Sequence, residues 1–180
     1  MIGQHKRDFT VIPYQHDWKE EFKREAVALR TVLGENALRI AHIGSTSIPG
    51  MHAKAIIDIM VAVESLSQAR ALIPLLESIG YVYRPIDSVP ERMYFRKENR
   101  PDYRTHHLHL TAQGSGFWKN HLAFRNYLRT HDQIAAEYVK LKRKIAGDYA
   151  RTQEVNYNAK TEFVMKVLAL AQKELRGSED

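Results

Sequence analysis

The sequence predicts an α/β portion followed by a helical C-terminal portion, together forming one domain over residues 1–180. Three observations carry this reading. Short apolar runs at 37–43, 55–63 and 105–111 are bounded by turn residues, as strands are. Apolar residues three and four positions apart fill stretches beside them, as amphipathic helices require. After Gln113-Gly114-Ser115-Gly116 the strand pattern stops and only helical periodicity remains. The boundary falls near residue 112, and the helical portion extends to about 175. A chain of 180 residues suits a single domain with a sizeable core.

In chain order, FTVIPY at 9–14 reads as a short edge strand ended by Pro13, because proline donates no ladder hydrogen bond. Asp17 is placed to cap a helix over 18–33. The apolar stripe of that helix is Trp18, Phe22, Ala26, Leu29 and Leu33, and Gly34 stops it. Strands follow at 37–43 and 55–63. Ser65 opens a helix through 79, with Pro74 as a kink or break and Gly80 as its stop. Residues 81–83 form a short strand and 84–91 a loop. Residues 92–97 form a strand with Met93 and Phe95 on one side, 98–103 a polar turn, and 105–111 another strand. Three helices close the chain: one over 117–129, one marked by Ile134, Tyr138, Leu141 and Ile145, and one from about 153 marked by Val164, Leu168, Ala171 and Leu175. The terminal GSED is expected to fray.

Composition narrows the classes of function. Apolar content of 44% and charged content of 27% describe an ordinary globular protein. No apolar run is long enough for a membrane helix, and the first residues, MIGQHKRDFT, lack the apolar core of a secretory signal. The absence of cysteine excludes disulfides and thiolate metal sites and fits a cytoplasmic protein. A net charge of +6 and a pI near 9.5 favour anionic partners such as phosphates or nucleotides. Much of the excess lies in the helical run Lys140 to Lys144. Stacking of nucleic-acid bases would need aromatics interleaved with that run, and only Tyr138 is close, so nucleic acid ranks last among the partners. The oligomeric state is not legible.

The chemistry-bearing residues lie on two strands and one turn. Asp58 sits inside AIIDIMV, where a carboxylate needs a partner. Side chains alternate across a strand, so Asp58 and Met60 share a face opposite Ile57, Ile59 and Val61. On the later strand, His107 and His109 oppose His106, Leu108 and Leu110. If the two strands are neighbours, Asp58, His107 and His109 form a set able to bind a divalent cation. The carboxylate suits Mg²⁺ or Mn²⁺, and the imidazoles suit Zn²⁺ or Ni²⁺. Gly44 and Ser45 form a small-residue turn whose amides can cradle phosphate. Ser45, Thr46 and Ser47 add hydroxyls, and Lys54, Arg92 and Arg96 add cations.

These stretches resemble the GrpB family of the nucleotidyltransferase superfamily. The resemblance rests on PYQHDWKEEFKREA at 13–26, HIGSTSIPGMHAKAIIDIMV at 42–61, RTHHLHL at 104–110, FRNYLRTH at 124–131 and NYNAKTEFV at 156–164. It runs from about Val11 to Leu168 and implies a small mixed sheet with flanking helices and further helices at the C-terminus. The superfamily motif is a Gly-Ser or Gly-Gly turn, a strand with two acids one residue apart, and a third acid on a later strand. Gly44-Ser45 matches the turn and Asp58 the first acid; Met60 stands at the second. We assign His107 or His109 to the third. Some family members are fused behind dephospho-CoA kinase, which implies a role linked to coenzyme A synthesis.

Two functions are expected. In the first, the protein holds a nucleotide or other phosphate-bearing ligand on Gly44–Ser47, Lys54, Arg92 and Arg96, with a divalent metal on Asp58, His107 and His109, and transfers a nucleotidyl group. A histidine near neutral pKa is an alternative general base. In the second, the chain is a non-catalytic nucleotide- or partner-binding module. Met60 favours the second, because two-metal transfer needs acids for both ions.

Overall fold

The computed structural model describes residues 2–5, 8, 10–148 and 153–177. Six strands form one mixed sheet: β1 (Gln4–His5), β2 (Arg39–Ile43), β3 (Ile57–Val63), β4 (Tyr81–Tyr83), β5 (Met93–Arg100) and β6 (Tyr103–Ala112). Their order is β2-β3-β6-β5-β4, with β1 pairing the start of β6. β3 and β6 run parallel; every other pair is antiparallel. The helices are α1 (Asp17–Leu33), α2 (Leu66–Ala69), α3 (Ile73–Glu77), α4 (Gly116–Thr130), α5 (Asp132–Asp148) and α6 (Gln153–Gly177).

Strand alternation divides the apolar residues between two sheet faces. Ile57, Ile59 and Val61 of β3 join Leu108 and Leu110 of β6 and Phe95 of β5 under Trp18, Leu29 and Leu33 of α1. On the other face Met60 and Ala62 meet Ile43 and Trp118 of α4. A third cluster joins Ile48 and Met51, in the loop after β2, to Leu128, Tyr138 and Val167 of α4, α5 and α6. This cluster fixes the helical portion beside the turn that follows β2.

Several elements differ from the sequence expectations for local reasons. The 9–14 stretch forms no strand among its described residues. Ile12 makes only an isolated bridge to Ala53, and β1 supplies the extra strand instead. The cap of α1 is His16, without a side-chain bond, and Asp17 lies in the first turn, where its charge faces the positive helix end. Pro74 breaks the 65–79 helix: it sits at the start of α3, and a 3-10 turn at Arg70–Leu72 separates α2 from α3. Ser65 does cap α2, accepting from the Gln68 amide. The polar turn at 98–103 shrinks to Pro101 and Asp102, because β5 and β6 keep pairing to Arg100 and Tyr103. Ser178–Asp180 lie outside the described residues.

Candidate functional site

The parallel pairing of β3 with β6 sets the site. One row across the sheet reads Ile43, Asp58, His107, Arg96; the next reads Ala41, Met60, His109, Tyr94. Residues in one transverse row share a sheet face. Asp58, His107 and His109 therefore stand together on the face away from α1, beside Tyr94 and Arg96.

Asp58 and His107 form a hydrogen-bonded pair. His107 Nδ1 lies 3.0 Å from Asp58 Oδ1. An ionised carboxylate only accepts, so Nδ1 carries the proton of this hydrogen bond. The ring's Nε2 is buried and has no hydrogen-bond partner among the described residues. Burial, the largest single influence, pushes the Asp58 carboxyl up, and the His107 hydrogen bond offsets part of it. Nearby positive charge, that of Lys160 included, supplies the rest, and together they hold the carboxyl below its ordinary range. The Asp58 side chain remains 29% exposed.

Gly44 is needed for two reasons. Its φ of +67° belongs to the region glycine occupies freely. A Cβ there would also lie 2.9 Å from Asp58 Cγ and closer still to Oδ2, so the carboxylate is packed against the glycine itself. The turn leads into a 3-10 segment at Ser45–Ser47, and neither the Ser45 nor the Thr46 amide has a backbone acceptor among the described residues.

The other predicted residues have separate positions. The Ser47 hydroxyl donates to Gly44 O at 2.6 Å, and Thr46 Oγ1 lies 3.3 Å from Ile56 O and 3.0 Å from His42 Nε2. Both side chains are buried, whereas Ser45 is half-buried. Burial draws the Lys54 amine down to about 8. Arg96 Nε lies 3.4 Å from Glu98 Oε1. Arg92 Nη1 lies 3.3 Å from His109 Nδ1, and its Nη2 donates to Asp87 O. Its guanidinium also lies over Tyr94 and Phe117, at 5.0 and 5.6 Å. Burial pulls His109 down to about 3. As a neutral ring accepting from Arg92 at Nδ1, it carries its proton on Nε2.

Among the described residues, no group of three or more His, Cys, Asp or Glu is placed to hold a metal ion. Met60 is one physical reason. It is 0% exposed and packed with Ile43, Ala62 and Trp118, so α4 closes over the place of a second acid. The donors left are Asp58 and His107. Two such donors fall short of the acids that a pair of ions requires.

Sequence reasoning missed the contribution of the helical portion. Lys160 of α6 lies close enough for its charge to act on Asp58, Lys54 and Lys142. Lys142 of α5 donates to His52 O and lies 4.8 Å over the Tyr138 ring. Burial, then Lys160, draws the Lys142 amine down to about 7. A signal for Lys160 was present, since it lies inside NYNAKTEFV.

The mixed sheet with its flanking helices is a fold shared with solved nucleotide-bound structures. Two structures of the Cid1 poly(U) polymerase, one bound to MgGTP and one a mutant bound to MgATP, share the fold. Their TM-scores are 0.54 and 0.56, at 13% identity, over 73% and 79% of this chain and 43% and 46% of theirs. The chain itself belongs to the GrpB family, whose model, described as GrpB protein, matches residues 8–170. The crystal structure of GrpB from Enterococcus faecalis superposes with a TM-score of 0.82 at 39% identity, covering 92% of this chain and 99% of that one. The UPF0157 protein YqkA of Bacillus subtilis is 36% identical over 88% of this chain, which spans only 46% of YqkA. The glutamate-rich protein GrpB of Alkalihalophilus pseudofirmus is 32% identical over 93% of this chain and 98% of its own length. A dephospho-CoA kinase of Mycobacterium leprae matches 74% of this chain, at 30% identity over 40% of the kinase. No helix among the described residues is long and apolar enough to cross a membrane.

Proposed function

We propose that this GrpB protein binds a nucleotide with its phosphates on the Gly44–Ser45 turn, facing the Asp58–His107 pair. The observation that carries the reading is the packing of the Asp58 carboxylate onto Gly44, beside two turn amides without backbone acceptors. Exposed amides at a turn bind phosphate oxygens. Lys54, Lys142 and Lys160 supply cationic charge, Arg92 and Arg96 line the same sheet face, and His109 holds Arg92 in place. Asp58 and His107 would hold one divalent cation, Mg²⁺ or Mn²⁺ for the carboxylate and Zn²⁺ or Ni²⁺ for the imidazole, which would neutralise phosphate charge. In place of holding a metal, His107, its Nδ1–H fixed by Asp58, would act as general base through Nε2 if a ligand hydroxyl reached that buried atom.

The test is thermal denaturation of the purified protein with each common nucleotide, with and without Mg²⁺ or Mn²⁺, followed by a transfer assay with labelled nucleotide. A ligand binding only the folded state raises Tm, by an amount equivalent to ~2.7 kcal/mol at one hundred times its Kd. A metal-assisted shift that Asp58→Asn removes supports the site. A shift or transfer untouched by Asp58→Asn would place the ligand elsewhere.

Burial of Met60 favours a second reading, a nucleotide- or partner-binding module without catalysis, linked to coenzyme A synthesis. It expects a Tm shift with nucleotides or coenzyme A precursors and no turnover with any metal.

A further inference from the structure

A groove of about 700 Å³ runs along β2, the edge strand of the sheet. It reaches Thr46 and Ser47 but includes neither Asp58 nor His107. Its walls come from helices on opposite sheet faces. Lys19 and Lys23 of α1 are one helical turn apart, as are Arg125 and Arg129 of α4, and Arg39 of β2 adds a fifth cation. The single acid lining it is Asp132. Arg125 and Arg129 spend their guanidinium bonds on neutral groups: Arg125 Nη1 on His42 O at 2.9 Å and Arg129 Nε on Ser47 O at 3.0 Å. The Arg125 guanidinium is accordingly pushed below its ordinary range by burial and then by Arg129. Lys23 shares an exposed pair with Glu20, which screens it little from a second anion.

Aromatic rings stand among these cations. Tyr14 and Phe22 line the groove and are partly exposed, and Trp118 lines the α4 side. Cations that track a backbone, interleaved with rings on which bases stack, are the recognition pattern for single-stranded nucleic acid. The 140–144 run lacks that pattern, whereas the fold assembles it here from α1 with the residue Tyr14 before it, β2 and α4. An added peptide strand fits less well, because Arg125 already occupies the outward carbonyl of His42 on the edge that such a strand would need.

We propose that the β2-edge groove binds a single-stranded oligonucleotide, its phosphates between the α1 and α4 cations and its bases against Tyr14 and Phe22. This does not depend on the nucleotide reading of the Asp58 site. The test is fluorescence anisotropy of labelled twelve-nucleotide RNA and DNA single strands with the full chain across a salt series, against a duplex and a twelve-residue polyglutamate. The variants are Lys19→Gln/Lys23→Gln/Arg39→Gln, all at exposed positions, and Lys140→Gln/Lys144→Gln on the basic run. Their folding is checked by circular dichroism.

Preference for single strands is expected. The groove variant should lose at least about tenfold in affinity, with a salt slope shallower by about two. The run variant should bind like the parent protein. The proposal is overturned by absence of binding at low salt, by equal binding of duplex or polyglutamate, or by a loss that follows the run and not the groove.

Discussion

Two neighbouring histidines on β6 each face a carboxylate, on opposite sides of one sheet. His106 points to the α1 face, where its Nε2 lies 3.9 Å from Glu25 Oε2. Lys97 binds both oxygens of that Glu25, at 2.9 and 3.1 Å. His107 points to the other face and bonds Asp58 at 3.0 Å. The Glu25 cluster is closed: its carboxylate is neutralised by a lysine, both acid and imidazole are buried, and the core packs around them. Nothing comparable closes the Asp58 pair. One carboxylate oxygen lies over the Gly44 turn, and the charge of Lys160 acts on it. Carboxylate and imidazole in contact therefore do not mark a site by themselves. What distinguishes a site is an acid without a bonded lysine or arginine among the described residues, next to backbone donors that have no backbone acceptor among them.

The largest expected effect comes from adding an acid to the open face. Met60→Asp would bury a carboxylate among Ile43, Ala62 and Trp118, and should cost ~3–5 kcal/mol in urea unfolding. It should not yield transfer activity, because α4 covers the position. A stable Met60→Asp protein with metal-dependent turnover would show that the face opens more than its packing indicates.

Breaking the closed pair comes next. Glu25→Ala leaves Lys97 and His106 without their acid and should destabilise the fold by ~2–3 kcal/mol. It should leave any nucleotide-induced Tm shift intact. Asp58→Asn should behave in the opposite way, with stability changed by less than ~1 kcal/mol and the ligand-induced shift lost. Equal stability losses from the two substitutions would erase the distinction between the faces.

Much of this contrast was legible in the sequence. Period-two alternation puts His107 and His109 on one face of their strand and Asp58 opposite the isoleucines of its own, so a common face needs only that the two strands be neighbours, and the Gly44–Ser45 turn stands out by composition. Other features depended on contacts remote in sequence. Glu25 lies one position from Ala26 of the predicted apolar stripe, and its burial depends on partners remote in sequence, above all Lys97, 72 residues away. Met60 reads as an ordinary strand residue until Trp118 covers it. Arg92 and His109 meet across a hairpin, so the occupation of His109 Nδ1 was not visible from the His-x-His spacing. The helix over 65–79 failed locally, at a proline whose effect depends on where the chain can turn.

The smallest effect concerns the cations on the two sides. Lys97 has Glu25, whereas Lys142 near the open face is drawn down to about 7 by burial and by Lys160. Between that value and the ordinary lysine value of 10.5, the unfolded chain holds more protons than the folded one, so Lys142 makes stability rise as pH rises through this window. Below pH 7 the ammonium is charged in both states and the penalty is constant. Lys142→Met should remove that rise, with a gain of ~1 kcal/mol at pH 6 that fades by pH 10. A bound phosphate would favour the charged amine, so nucleotide binding at pH 8 should take up protons. Titration calorimetry in buffers of different ionisation enthalpy measures that uptake directly. Proton uptake by the parent protein that Lys142→Met abolishes would place the lysine at the ligand. Equal uptake in both would confine Lys142 to its bond with His52 and its packing on Tyr138.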